Sequence, residues 1–284
     1  MIEEVLVIGG THGNEMVGVF LADYLKKNPY KAESFTVRSL IANEEAARLK
    51  KRYIDFDLNR AVRAEEARGS HEERVVERLQ KQIHKPEKTL IIDLHTTTAN
   101  MGVTYILTRS DPLTKELIFR AQRGQAGEFV LETKELDDKT HFVNTMADHG
   151  FMIEVGPVPQ NYLCTKSIEK TWYTLLRIFD LLDKKNQGLL PSLKGNFNYF
   201  KELSFLDFPR DAAGEIQALL HPNLIGRDYQ LIKEDEPVFY QLPDEPIYEK
   251  AASGYYATFI NEAAYYEKNM AMMLCERRVL SEEF

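Results

Sequence analysis

The chain has 284 residues, 44 acidic against 36 basic, for a net charge of −8, and 44% of them are hydrophobic. That mixture reads as a soluble globular protein, long enough for a main domain with a smaller companion and for a core that needs no disulfide or metal to hold it. No apolar run approaches the roughly 18 residues of a membrane span. The acidic start MIEEVLVIGG is unlike a secretory signal, and two distant cysteines, Cys164 and Cys275, form no disulfide framework. No dense basic run suits a nucleic acid. The reading is cytoplasmic, with neither membrane nor nucleic acid as partner.

The first two thirds alternate between strand and helix. VLVIGG (5–10) is a short apolar run ending in glycine, and MVGVFLADYLKK after it has a helical apolar face. Between them, GGTHGNE (9–15) sits where open α/β sheets bind ligands, at the carboxyl end of a strand. His12 and Glu15 can converge from this one turn, and imidazole nitrogen and carboxylate oxygen are both good zinc ligands. The pattern is short, and a plain turn with a surface histidine and a capping glutamate also fits it. It is no phosphate loop, since neither GxGxxG nor GxxxxGK[ST] is present.

FTVRSLIA (35–42) reads as the next strand. RYIDFDLNR (52–60) follows, dense in charge: Arg52, Asn59 and Arg60 suit carbonyl polarisation and carboxylate binding, because a guanidinium forms bidentate forks. The same segment also reads as a solvated loop of internal Arg–Asp pairs involving Asp55 and Asp57. The spacing of Val75, Val76, Leu79 and Ile83 predicts a helix over 71–85.

TLIIDLH (89–95) is a buried strand whose period of two puts Asp93 and His95 on one face. Asp93 can then orient the surroundings of a ligating His95. MGVTYILTR (101–109) and FMIEVG (151–156) are further strands, and Glu154 lies within the apolar run of the second. A carboxylate there is costly unless paired or in use. It fits a general base beside an activated water, and equally a structural glutamate paired with Arg or Lys.

Residues 167–185 are the strongest helix, with Ile168, Trp172, Leu175, Phe179 and Leu182 at helical spacing. Alternation of this kind specifies an α/β sheet covered by helices. After Pro191 the texture changes to short strand-like pieces, EIQALL, PVFYQL and YYATFI, among Pro, Gly and Asp clusters. The expected division is 1–190 for a catalytic α/β domain and 191–284 for a β-rich domain. In FINEAAYYEK (259–268), Tyr265 and Tyr266 can lend a phenol to a pocket, and Glu262 can pair with a nearby Arg.

GGTHGNE, RYIDFDLNR, DLHTTTANMG, IEVGPVPQ, DFPRDAAGEI, HPNL and NEAAYYEK, in this order from residue 9 to 268, resemble the aspartoacylase/succinylglutamate desuccinylase family. The resemblance implies a zinc-carboxypeptidase-like mixed sheet flanked by helices, with a C-terminal β-rich domain capping the active site. It implies His12, Glu15 and His95 as ligands of one Zn²⁺ and Glu154 as general base. It also implies Arg52 as the carbonyl-polarising arginine and Asn59, Arg60 and Tyr265 as substrate binders. The expected reaction is hydrolysis of a small anionic N-acyl amino acid, N-acetyl-L-aspartate first. A homodimer is compatible with the resemblance but not fixed by the sequence.

One departure matters. Members acting on acidic substrates carry an arginine ten residues before the base and a tyrosine four before that. Here those positions are Asn144 and Thr140, and an asparagine cannot supply a bidentate cation. Lys134, Lys139 or His141 can stand in if the loop is aligned with a shift. The alternative is therefore an aminoacylase for neutral or aromatic N-acyl amino acids, with a peptide-cutting metallocarboxypeptidase third.

Overall fold

The structure is a computed structural model, which describes residues 1–134, 141–243 and 245–284. Its first part carries β1 (Glu4–Gly9), α1 (Met16–Lys27), β2 (Thr36–Ile41), α2 (Glu44–Leu49), α3 (Leu58–Ala61) and α4 (His71–Gln80). Next come β3 (Thr89–Thr96), β4 (Gly102–Leu107), α5 (Pro112–Gln122), β5 (Glu128–Glu132), β6 (His149–Gly156) and α6 (Thr165–Asn186). The remainder is strand: β7 (Lys194–Leu206), β8 (Leu219–Leu220), β9 (Gln230–Leu231), β10 (Phe239–Gln241), β11 (Glu245–Ile247), β12 (Tyr256–Thr258) and β13 (Met272–Glu283).

A ten-stranded mixed sheet runs β2-β1-β3-β6-β4-β5-β7-β13-β12-β9, and β11-β10-β8 form a second, three-stranded sheet. β1, β2, β3 and β6 are parallel, and β4 joins β6 antiparallel. The mixed sheet flanked by helices, with a β-rich C-terminal part, is the architecture expected from the sequence. Among the described residues, no helix is long and apolar enough to cross a membrane.

Alternation along the strands sorts side chains into two covers. Val5, Val7, Leu90, Ile92, Phe151 and Ile153 face α1, α5 and α6, whose Leu21, Leu117, Leu175 and Phe179 complete that core. Leu6, Ile8 and Ile91 point the other way, onto α3 and α4 through Leu58, Val75, Val76 and Leu79. Farther along the same face of the sheet, Ile106, Leu131 and Met152 meet Phe200, Tyr229, Phe259 and Met273 from the C-terminal part. The functional site lies between these last two covers. Asp93, His95 and Glu154 project from that face because they are two residues, or an even count, from Ile91 and Met152.

Two boundaries differ from expectation. α4 stops at Gln80 rather than 85, with i→i−3 bonds from Gln82 to Leu79 and from Ile83 to Gln80 tightening the exit. Pro86 follows and biases residue 85 away from helix. Ile83 is nevertheless buried, carried by the turn. The longest strands, β7 and β13, have no counterpart in the sequence reading. β7 buries Phe197 and Phe200, three apart, and the pairing with β13 shifts register at Leu274/Cys275. Its hydrophobic pattern therefore lacks a clean period of two.

The two thiols are set apart by their surroundings. Cys275 is fully buried, and burial pushes its thiol up to about 12. Cys164, at the start of α6, is half-buried and is lowered by the hydroxyl of Ser167, 3.3 Å away. Iodoacetamide at pH 8 is expected to alkylate Cys164 in the native protein and Cys275 only after unfolding, since the thiolate is the nucleophile. Peptide mass mapping checks this; comparable native labelling of both would contradict the burial.

Candidate active site

The loop after β1 makes a turn that only small residues allow. Gly10 has φ +65°, and a Cβ on Gly13 would lie 2.1 Å from the Ala46 backbone. Gly13 N–H donates to the carbonyl of Arg52, which locks this loop to the charged loop at 3.1 Å. His12 and Glu15 are thereby held side by side beneath the end of β3, both buried.

Glu15 bridges the two histidines. Its Oε1 lies 2.7 Å from His12 Nδ1 and its Oε2 3.0 Å from His95 Nδ1. Thr96 N–H also donates to Oε2, at 3.0 Å. One donor atom from each of His12, Glu15 and His95 lies within 4.8 Å of the other two. The far ring nitrogens face carboxylates: His12 Nε2 is 3.0 Å from Asp57 and His95 Nε2 is 2.9 Å from Asp93. Asp93 in turn accepts the Thr11 hydroxyl at 2.7 Å. Carboxylates behind both imidazoles are the usual support of histidine metal ligands, fixing tautomer and ring orientation. The donor chemistry therefore fits a divalent metal of zinc type.

The electrostatics are those of a buried, tightly paired cluster. Burial opposes the Glu15 charge, but His12 and His95 hold its carboxyl well below the ordinary range. Asp57 is likewise lowered against its burial, by His12, Arg52 and Lys268. His95 is raised, because Asp93 and Glu15 outweigh desolvation. Glu154 goes the other way. It stands opposite His95 across β3 and β6, and its buried carboxylate makes no hydrogen bond among the described residues. Burial pushes it well above the usual carboxylate range; Glu15 and Glu262 add to this, while His95 and Arg52 pull against it.

All of these groups open onto one cavity of about 480 Å³, which His12, Glu15, Arg52, Asn59, Arg60, His95, Glu154 and Tyr265 all line. Arg52 lies 3.3 Å from Glu15 and 3.7 Å from Asp57, and its Nε is a buried donor with no partner. Arg60 donates to the Asn59 carbonyl at 2.6 Å and stacks on Phe142, its guanidinium carbon 4.7 Å from the ring centre. Asn59 lines the wall but its amide is committed internally: Oδ1 accepts from Val143 N–H at 2.9 Å, and Nδ2 faces His95 Nε2 at 3.2 Å. Tyr265 packs against Phe259 with ring centres 5.3 Å apart, and burial raises its phenol.

Other placements differ from expectation or were not foreseen. Glu262 has no arginine at ion-pair distance among the described residues. It accepts instead from the Thr97 hydroxyl, from Thr98 N–H at 2.6 Å and from the Thr98 hydroxyl at 3.0 Å, tying the segment after β3 to the C-terminal part. Lys268 donates to Asp57 at 2.8 Å and so reaches the far side of His12. Asn144 is buried against Thr108 and does not line the cavity, and neither does His141, whose Nδ1 lies 2.8 Å from the Val62 carbonyl. Lys134 does line it. Lys139 and Thr140 lie outside the described residues.

A buried His–Glu–His donor set with carboxylate-backed imidazoles, able to hold a metal ion, thus lies at the carboxyl ends of strands in a mixed α/β sheet. The profile of the succinylglutamate desuccinylase/aspartoacylase catalytic domain matches residues 1–182, and that of the AstE/AspA barrel-sandwich hybrid domain matches 195–277. The chain belongs to the succinylglutamate desuccinylase/aspartoacylase family. It is 33% identical over 288 residues to a probable aspartoacylase of Acaryochloris marina, covering 99% of this chain and 98% of that one. It is 35% identical over 292 residues to an N-acyl-aromatic-L-amino acid amidohydrolase (carboxylate-forming) of Xenopus laevis, covering 98% and 95%. Among solved structures it resembles murine aminoacylase 3, with a TM-score of 0.91 at 31% identity, covering 100% and 98%.

Proposed function

We propose that this chain is a metal-dependent amidohydrolase that removes the acyl group from small anionic N-acyl amino acids. The observation that carries the reading is the meeting, in one cavity, of the His12–Glu15–His95 donor set and the unbonded carboxylate of Glu154 on the neighbouring strand. The three donors would hold one Zn²⁺, which when bound supplies a Lewis acid and a water of pKa about 7.

The chain's own residues divide the remaining work. Glu154 takes the proton from the attacking water and delivers it to the departing amine, a role suited to a carboxyl raised by burial. Arg52 keeps a fixed positive charge next to Glu15, where charge develops on the carbonyl oxygen. Arg60 and Tyr265 bind the substrate carboxylate, while Asn59, expected to share that role, has its amide taken by Val143 N–H and His95 and orients His95 instead. Residues 191–284 form the capping domain in this reading, and the protein is placed in the cytoplasm.

On the side chain, the cavity favours the neutral or aromatic alternative over N-acetyl-L-aspartate. Ile106, Leu131, Met152, Phe259 and Met273 line its floor, and the position counted back to Asn144 is outside it. Lys134 is the residue that an acidic side chain would use. Names of relatives divide between the two.

Zinc-loaded protein is expected to hydrolyse N-acetyl amino acids, to lose activity to a chelator and to regain it with zinc. His95→Ala is expected to weaken zinc binding by at least about 100-fold in a competition titration, since a ligand is lost rather than its support. A zinc-loaded wild-type protein that cleaves no N-acyl amino acid would refute the function.

A further inference from the structure

Apart from Glu262, which is held by threonine donors, the cavity is lined by one carboxylate that the proposed chemistry does not use. Glu202 is on β7, paired across the sheet with Cys275, and lines the cavity together with Leu131, Met273 and Leu203. Its neighbours on that face, Phe200, Met273 and Cys275, belong to the apolar cluster joining the sheet to the C-terminal part. Burial pushes the Glu202 carboxyl up, opposed by the Lys134 backbone and by the Lys134 and Arg60 charges. No cationic side chain lies within ion-pair distance of it among the described residues.

Glu202 is half-buried and has no cation at ion-pair distance among the described residues, so its charge becomes costly once a bound ligand excludes water, and the cost falls when that ligand brings a donor to it. Arg60 and Glu202 line the same cavity, so the group that binds a substrate's α-carboxylate and the floor carboxylate face one ligand. We propose that Glu202 is the specificity-determining residue of this cavity. It selects N-acyl amino acids whose side chain is an apolar shaft ending in a hydrogen-bond donor, and rejects those ending in a carboxylate. This rests on the amidohydrolase reading above and deepens it. An ammonium and a phenol both have the required chemistry, with four methylenes or a ring as the shaft.

The test compares kcat/KM of the zinc-loaded full chain on two isosteric pairs, N-acetyl-tyrosine against N-acetyl-phenylalanine and Nα-acetyl-lysine against N-acetyl-norleucine, with N-acetyl-aspartate as a fifth substrate. A site built around a substrate donor discriminates strongly against the analogue lacking it. At least one pair is expected to show a tenfold or greater preference for the donor in wild type, falling toward one in Glu202→Leu. Which pair responds separates the phenol from the ammonium. Glu202→Gln keeps the shape where the leucine variant fails to fold; it is expected to raise kcat/KM for N-acetyl-aspartate at least fivefold. Ratios near one in wild type, ratios that survive in Glu202→Leu, or an aspartate rate unmoved in Glu202→Gln would overturn the role of Glu202 while leaving the amidohydrolase intact. Wild type inert toward all five substrates overturns the amidohydrolase reading itself, and this proposal with it.

Discussion

Replacing Glu154 with glutamine is expected to lower kcat about 10³-fold, roughly 4 kcal/mol of barrier, while zinc content and KM stay within a few-fold of wild type. The expectation follows from where the carboxylate stands. It stands directly opposite His95 on the neighbouring strand, on the side of the sheet that carries the donor set, but it is not one of the three donors. Its oxygens have no protein partner among the described residues, so an amide of the same size disturbs no hydrogen bond in the fold. What the amide removes is the ability to hold a proton between water and leaving amine. Burial makes that ability useful, because it raises the carboxyl from the range in which it would be a weak base. Metal analysis and steady-state kinetics on one preparation decide it. Turnover within tenfold of wild type would remove Glu154 from the reaction, and loss of zinc would make it a structural member of the metal site.

How far the sequence could be read depends on how locally each feature is encoded. His12 and Glu15 share one glycine turn, and Asp93 and His95 share one strand face, so their pairing follows from chain geometry alone. The structure brings them together at 2.7 and 2.9 Å. Glu154 announced itself as a charge in an apolar run. By contrast, Asp57 supports His12 from a different loop, and Lys268 reaches Asp57 from 211 residues away in the chain. Nothing in a charged string such as RYIDFDLNR says which carboxylate turns inward. Glu262 was read as a partner for arginine because it is an acid near a pocket; it is held by threonine donors after β3 instead. Glu202 was invisible for a further reason. It sits on β7, whose buried residues fall three apart and whose partner strand shifts register, so the strand and the face of its side chains were both unreadable. Net charge was a poor guide throughout: the site gathers Arg52 and Arg60 in a chain of net −8.

The deepest determinant of the site is Glu72, which the sequence presents as one more acid on the charged helix HEERVVERLQ. It is fully buried. One oxygen accepts from Asn43 Nδ2 and Ile54 N–H, both at 2.8 Å, and the other from the Asp55 and Phe56 N–H groups, both at 3.0 Å. Three successive backbone donors thus converge on one carboxylate, and the loop they belong to carries Arg52 and Asp57 and leads into α3, which carries Asn59 and Arg60. Asn43 extends the hold, because its Oδ1 caps α2 through Ala46 N–H, and α2 is the surface against which Gly13 packs. Removing the carboxylate strands four donors, one buried and three part-buried; a donor left unsatisfied costs about 1–3 kcal/mol when buried, and water entry offsets part of this at the other three. Glu72→Ala is expected to cost about 3–5 kcal/mol of stability, and Glu72→Gln less, since its amide oxygen still accepts while its NH₂ meets donors. Denaturant unfolding of the two variants beside wild type measures both. The loss should also surface as weakened kcat in whatever fraction folds, because Arg52 is displaced with its loop. A Glu72→Ala protein within 1 kcal/mol of wild type would mean that the loop is held by its packing against α3 and α4, not by the carboxylate.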